Sequence, residues 1–217
     1  MGVKAECVIM EYVKQFEQRY RNDSSIYNQY LNAIQKINLN LISRGGVGNI
    51  IKPFLYKWGR MGRVLGQNKF KDWESKLAQQ IQLNFGKLQN LAGQRFLGAA
   101  LGKFKSDIED CYESFKNVVG PIAAAKVLHL ICPNFFPLWD NDIAKAVRDE
   151  FRGKGRNRAV QGLSGEDYYE FMQALQGSLK KHQQVISHLS QRYKKSDLKI
   201  MDEFLWWATH RPLSLLL

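Results

Sequence analysis

Apolar residues recur at helical spacing along almost the whole chain. One stripe consists of Val8, Ile9, Tyr12, Val13, Phe16 and Tyr20, and another of Leu77, Ile81, Phe85, Leu88 and Leu91. Spacings of three and four residues place such side chains on one face of an α-helix. Alternating apolar and polar residues beside hairpin turns, which would predict strands, are scarce. The sequence therefore predicts an all-α fold, and its 217 residues are enough for one compact unit spanning 1–217.

Two helix starts carry capping residues. Ser106 is followed three positions later by Glu109, a spacing that predicts a capping box. Ser196 and Asp197 precede a strongly apolar run and predict the cap of the last helix.

The balance of charge favours a polyanionic partner. Lysine and arginine exceed the acidic residues by 12, and the isoelectric point is about 9.6. The segment 43–71 contains Arg44, Lys52, Lys57, Arg60, Arg63, Lys69 and Lys71 with no acidic residue, and a second basic segment contains Arg152, Lys154, Arg156 and Arg158. Basic side chains supply positive charge and glycines expose backbone N–H groups, a combination suited to phosphate contacts, so DNA is the predicted partner. The alternative is that both segments are solvated loops whose charge serves solubility.

The cysteines and histidines indicate no disulfide framework and no metal site. Three cysteines, Cys7, Cys111 and Cys132, lack any CxxC spacing, and no histidine has metal-ligand spacing to them. No stretch approaches the roughly 20 apolar residues of a membrane span. We therefore expect an intracellular, monomeric protein with no cofactor and no membrane partner.

The segment 117–147, NVVGPIAAAKVLHLICPNFFPLWDNDIAKAV, contains the most specific pattern. Val118 to Pro121 predicts a tight turn, and the small and apolar residues that follow predict a closely packed helix ending at Cys132, before a proline. A short apolar run then leads to Asp140, where another helix begins, with Asp140 or Asn141 as its N-cap.

This segment resembles the helix-hairpin-helix superfamily of DNA glycosylases. Val119 and Gly120 match the second half of that family's hairpin, and Asp140 to Ile143 match its aspartate signature. The resemblance implies a two-lobed glycosylase-like fold, with one lobe at 70–135 and the other formed by 1–69 and 136–217. It also implies that Val119, Gly120 and Lys145 contact DNA phosphate, in addition to the basic residues of 152–158 that the charge pattern predicts.

Asp140 falls on the catalytic position of that family, and the resemblance therefore implies an enzyme of base excision. Cleavage of an N-glycosidic bond builds positive charge on the sugar, which a nearby carboxylate stabilises. The base must first be flipped out of the duplex, and Phe135, Trp139 and Trp58 are candidates for its pocket. Lys126 and Asp142 are candidate accessory residues.

The sequence departs from the family at the position of the lyase lysine, which is Ile122 here. Because isoleucine cannot form an imine, the expected enzyme is a monofunctional hydrolase of DNA repair. Two alternatives remain open. One is an enzyme of this fold that modifies thymine-derived bases in hypermodified phage DNA without excision, and the other is a non-catalytic DNA-binding protein.

Overall fold

The computed structural model describes residues 2–36, 42–140, 142–143 and 164–209, and these residues are helical with short connections. The α-helices are α1 (Gly2–Arg19), α2 (Arg21–Gln35), α3 (Gly62–Leu65), α4 (Trp73–Leu83), α5 (Phe85–Ala92), α6 (Lys105–Val119), α7 (Pro121–Ile131), α8 (Gly165–Lys181), α9 (Gln183–Tyr193) and α10 (Asp197–Thr209). Two π-helical segments, Ile42–Ile51 and Phe54–Trp58, and two 3₁₀ turns, Asn68–Phe70 and Leu101–Phe104, complete them. No strand occurs in the described ranges, which confirms the all-α prediction.

Helices α6 and α7 form the central pair of the described fold. Helix α8 packs on α6, α2 packs on α7, and α4 packs on both α6 and the segment Ile42–Ile51. At the other side, α1 packs on α9 and α10, which brings the two ends of the described chain together. None of the described helices is long and apolar enough to cross a membrane.

One continuous cluster of buried apolar side chains runs through these helices. It extends from Ile9 in α1 to Phe204 in α10 and includes most of α7, where Ala123, Ala124 and Ala125 are completely buried. Small side chains let neighbouring helices approach α7 closely, as the sequence predicts. The division into lobes at 70–135 stays a prediction.

The start of α8 is anchored on α6. Ser164 and Asp167 form a reciprocal capping box, and the Gly165 backbone N–H donates to Glu113 Oε1 at 2.5 Å. A Cβ atom at Gly165 would lie 2.8 Å from the Glu109 carbonyl oxygen, so only glycine permits this approach. This contact supplies partners for backbone donors that a helix start otherwise leaves unsatisfied.

The predicted caps have different outcomes. Ser196 is confirmed, because its Oγ accepts a hydrogen bond from the Lys199 backbone N–H at 3.2 Å. The capping box at Ser106 is wrong, because α6 begins one residue earlier, at Lys105, with no side-chain cap. Ser106 donates instead to the carboxylate of Asp110 at 3.3 Å, one turn along the helix.

The junction between α6 and α7 is a single residue, Gly120. The predicted turn is therefore shorter than Val118 to Pro121, because α6 remains helical through Val119 and α7 begins directly at Pro121. Gly120 has φ 81° and ψ 164°, a backbone conformation that is essentially restricted to glycine. Proline at the first helical position needs no N–H partner and has a suitable φ.

We predict that Gly120→Ala lowers the free energy of unfolding by about 1–3 kcal/mol, because alanine is strained at this φ and ψ. The nearest atom to an added Cβ, in the ring of Phe70, is 3.5 Å away, so backbone strain and not a clash is the cause. Urea unfolding measures the change. Gly177→Ala is the matched control: it lies within α8 with open space around its Cβ, and it should stabilise by about 0.5–1 kcal/mol. Equal effects at the two positions would contradict the prediction.

Candidate functional site

A cavity of about 200 Å³ opens where α1, α7 and α10 approach the segment around Trp58. Its aromatic lining consists of Phe16, Tyr20, Trp58, Trp139 and Trp206. The rings brace one another: Trp58 stacks on Phe54 with ring centroids 4.9 Å apart, and Tyr20 meets Trp206 edge to face at 4.9 Å. Such walls are suited to a planar ligand.

The same cavity is lined by charged groups of both signs. They are Arg60, Lys126, Lys199, Asp140 and Asp202. A polar set enclosed by aromatic walls is the usual composition of a small-ligand or active site. The structure thus brings together four predicted site residues from three parts of the chain: Trp58, Lys126, and the adjacent Trp139 and Asp140.

Asp140 lies at the cavity and also begins a helical turn. Its Oδ1 accepts a hydrogen bond from the Ile143 backbone N–H at 2.8 Å, which is the N-cap arrangement predicted for it. Burial raises the pKa of Asp140, against the lowering effect of this hydrogen bond. A half-buried carboxylate with a raised pKa is a suitable proton acceptor near neutral pH.

The apolar run before Asp140 is held by two side chains that bind consecutive carbonyl groups. His129 Nδ1 lies 2.7 Å from the Phe136 carbonyl oxygen, and the Tyr168 hydroxyl donates to the Pro137 carbonyl at 2.7 Å. A carbonyl only accepts, so Nδ1 of His129 bears the proton. Its Nε2 then accepts from the Tyr27 hydroxyl at 2.6 Å. His129 therefore connects α2, α7 and the segment that presents Asp140.

The buried imidazole of His129 is neutral. Burial is the main cause that lowers its pKa, to about 4. In a protonated ring, Nε2 also becomes a donor. Its hydrogen bond with Tyr27 then persists only if the hydroxyl rotates to accept. Burial therefore keeps the ring neutral, and it outweighs the hydrogen bond to the Phe136 carbonyl, which by itself raises the pKa of His129.

Lys126 extends across the cavity from α7. Its Nζ donates to the Gly59 carbonyl oxygen at 3.0 Å and lies 5.6 Å from the centroid of the Trp58 ring. Burial lowers its pKa, and the negative charges of Asp140 and Asp202 partly oppose that effect. The Lys126 side chain thus lines the cavity together with Asp140.

A network of buried charges, not predicted from the sequence, borders the cavity, and two of its members, Lys199 and Asp202, line it. Lys195 is bonded to Glu17 and lies 2.6 Å from Glu203 Oε1, while Lys199 lies 2.7 Å from Asp202 Oδ2. One sequence feature could have predicted this network. The spacing of Lys199, Asp202 and Glu203 places three charges on one face of an otherwise apolar helix.

The remaining predicted site residues lie elsewhere. Phe135 is fully buried and packs edge to face against Phe104 and Phe136, so it belongs to the core and not to the cavity lining. Asp142 is exposed. Val119 is fully buried, and the Gly120 backbone N–H donates to the Lys116 carbonyl at 2.8 Å, which commits the proton that a phosphate contact would need. The other predicted phosphate contacts, Lys145, Arg152, Lys154, Arg156 and Arg158, lie outside the described residues.

Within the described ranges, no group of three or more histidine, cysteine, aspartate or glutamate side chains is arranged to hold a metal ion. Comparison with protein-family models, with curated proteins and with solved structures gives no match.

We predict that stability declines in mild acid because of His129. The pKa of His129 is lower in the folded chain than the usual 6.5, so the unfolded chain binds the proton first and this contribution to stability is present above pH 6.5 and lost toward pH 4. Between pH 7.5 and pH 5 the loss should be about 2 kcal/mol. Urea unfolding at several pH values measures it.

Two variants separate this effect from other titrations. His129→Gln should be less stable at neutral pH and should show a shallower decline, because the titrating ring is gone. His188→Gln changes an exposed residue of α9 and keeps every His129 contact, so it should retain the decline. An unchanged slope in His129→Gln would show that another group is responsible.

Proposed function

We propose that this protein is a DNA-directed enzyme that hydrolyses the N-glycosidic bond of a flipped-out base, with Asp140 as the catalytic carboxylate. The observation that carries the proposal is that Asp140 shares one cavity with stacking surfaces from Trp58, Trp139 and Trp206. A base that leaves the duplex needs such a pocket. The glycosylase-like two-lobed fold is part of the same proposal and rests on the sequence resemblance.

The reaction needs water as its only co-reactant. The oxygen of water bonds to C1′ of the sugar while the C1′–N bond breaks and its electron pair leaves with the base. The Asp140 carboxylate takes a proton from the attacking water and releases it again to solvent. The departing base nitrogen takes up one proton from solvent, so one water is consumed overall and the carboxylate is regenerated. The sugar passes through a cationic state that a carboxylate in a partly dry cavity stabilises.

The indole of Trp139 supports binding of a base in this cavity. It is 3% exposed, and its Nε1–H has no hydrogen-bond partner among the described residues. A buried donor without a partner costs free energy, about 1–3 kcal/mol, and a ligand acceptor would recover it once the ring turns its shielded N–H toward the cavity. Carbonyl oxygens and ring nitrogens of bases are such acceptors.

We propose that the DNA strand lies along exposed lysine and arginine side chains beside the cavity. Lys57, Arg60, Arg63, Lys69 and Lys71 are all exposed, and Arg60 also lines the cavity. Phe70, between the last two lysines, lies next to Gly120 at the α6–α7 junction. This surface takes the role that the resemblance assigns to the backbone of Gly120, whose N–H is already bonded.

Lys126 supports a second candidate function, cleavage of the DNA strand through an imine. Burial lowers its pKa, which increases the fraction of neutral amine, and it lines the cavity with Asp140. A lysine nucleophile needs both properties. Its bond to the Gly59 carbonyl favours the alternative role of a fixed cation, so hydrolysis without an imine is the proposal made here.

We predict that Asp140→Asn reduces turnover by at least about 10²-fold and leaves DNA binding unchanged. Asparagine still accepts the hydrogen bond from the Ile143 N–H, so the substitution removes the charge and keeps the cap. In the wild type, the rate should fall toward acid at a pH above the usual range of an aspartate, because burial raises the pKa of Asp140. Asp110→Asn, at an exposed acid paired with Lys87, is the control.

The measurement is incubation with duplexes that carry oxidised, alkylated, deaminated and hypermodified bases, followed by mass spectrometry of free bases and nucleosides. Free base that Asp140→Asn abolishes is the expected result. A mass change on an intact nucleoside would instead indicate base modification, and binding without any product would indicate a non-catalytic protein. Borohydride should trap no adduct; an adduct lost in Lys126→Ala would establish the imine route.

We predict that Lys69→Gln with Lys71→Gln weakens DNA binding and lowers the dependence of log K on log salt by about 2 for double-stranded DNA, since each phosphate contact contributes about 0.9. Lys180→Gln with Lys181→Gln, in the last turn of α8, makes the same change of charge away from this surface. Fluorescence anisotropy between low and moderate salt measures both. Equal losses in the two double variants would show that net charge alone determines binding.

A further inference from the structure

We infer that Asp202 is a second functional carboxylate of this cavity, which faces the sugar cation together with Asp140. The inference rests on the proposed function and adds a residue to it. Both carboxylates line the same cavity of about 200 Å³, and they reach it from different elements, Asp202 from α10 and Asp140 from the turn that follows the apolar run.

Asp202 is held in place by a buried lysine. The Nζ of Lys199 donates to Asp202 Oδ2 at 2.7 Å, and the Lys199 side chain is only 3% exposed. This ammonium group is surrounded by the rings of Tyr27, Trp58 and Phe16, whose centroids lie 5.1, 5.2 and 5.6 Å away. Burial opposes its charge, but Asp202 and Glu203 outweigh that effect and raise its pKa overall. Lys199 is therefore a permanent cation that positions the carboxylate.

A purely structural role explains this arrangement poorly. Removing two charges from water is strongly unfavourable, and a buried ion pair is often no more stabilising than apolar residues of the same volume. The network beside Asp202 keeps an acceptor without a partner, Oε2 of Glu203, among the described residues. Apolar side chains on this face of α10 would complete the core at lower cost, whereas a carboxylate at a cavity wall can act on a ligand.

The two carboxylates have different surroundings and so are suited to different roles. Asp140 has no ion pair of its own in the described structure; its raised pKa comes mainly from burial, and the negative charge of Asp202 adds to it. Asp202 is bonded to a cation. Pairs of carboxyl groups in unlike environments commonly divide the work of a glycosidase between them. Asp140 is thus suited to exchange a proton with water, and Asp202, held by Lys199, to face the sugar.

The experiment compares two duplexes that differ in one charge at the site of the missing base. One contains a pyrrolidine analogue of the abasic sugar, which is cationic, and the other contains the neutral tetrahydrofuran analogue. A site that stabilises a sugar cation binds the cationic duplex more tightly, since it resembles the transition state. The ratio of the two dissociation constants, measured with one protein preparation, cancels any loss of folded protein.

We expect the wild type to prefer the cationic duplex by about 10²-fold or more. Asp202→Asn should reduce this preference at least about tenfold, as should Asp140→Asn. Asp202→Glu, which keeps the charge and can still reach Lys199, should restore part of it, and Asp110→Asn should retain it fully.

The outcomes separate the two proposals. If Asp140→Asn loses the preference while Asp202→Asn keeps it, the assignment of Asp202 is wrong and Asp140 remains the single carboxylate. If the wild type binds both duplexes equally, the cavity does not stabilise a sugar cation, and the proposed hydrolysis fails together with the role of Asp202. A loss in Asp202→Asn without any recovery in Asp202→Glu would assign the effect to the packing of α10 and also overturn the inference.

Discussion

The hydrogen bonds that His129 and Tyr168 make to consecutive carbonyl groups determine where Asp140 lies. Without them, the run from Phe135 to Trp139 would have apolar side chains to bury but no partner for the carbonyl groups of Phe136 and Pro137, which lie at its buried centre. Buried carbonyl groups require partners, so a connection of this kind is stable only where donors reach it. The core thus contains two polar groups whose function is to fix a loop.

This anchoring explains how a carboxylate can stand at the end of the most apolar short segment of the chain. The segment is fastened on its core side by His129 and ends on its outer side at the Ile143 N–H, which gives Asp140 a hydrogen bond. The charge of Asp140 is therefore stabilised by a backbone hydrogen bond at the point where the chain leaves the core. The pKa of Asp140 is still raised, because burial outweighs this hydrogen bond.

The sequence predicts the helices and the local part of the site because both depend on neighbouring residues. The helical stripes, the cap at Ser196 and the cap at Asp140 follow from spacings of three or four positions, and the structure is helical at both stripes and has both caps. The stripe from Leu77 to Leu91 differs in one respect, because Asn84 divides it into α4 and α5. Phe135 and Trp139 show the limit of this approach. They lie four residues apart in one apolar run, yet one packs into the core and the other lines the cavity. Which of them is available to a ligand depends on α8, whose Phe171 and Tyr168 cover one side of Trp139.

The contribution of α10 could not be predicted for a different reason. Lys199 and Asp202 are three residues apart, a spacing that on most helices marks an exposed ion pair of small effect. Here Phe16 of α1, Tyr27 of α2 and Trp58 surround Lys199. The pair is therefore removed from water and forms part of a cavity wall, although its two residues are 59 and 62 positions from Asp140 in the chain. An ion pair that would contribute little to stability at a surface has a large electrostatic influence in such a place, because the local dielectric constant is low. The charged wall of the cavity depends on the packing of α1, α2 and Trp58 against α10. The chemistry proposed for Asp140 depends on these contacts as much as on its own segment.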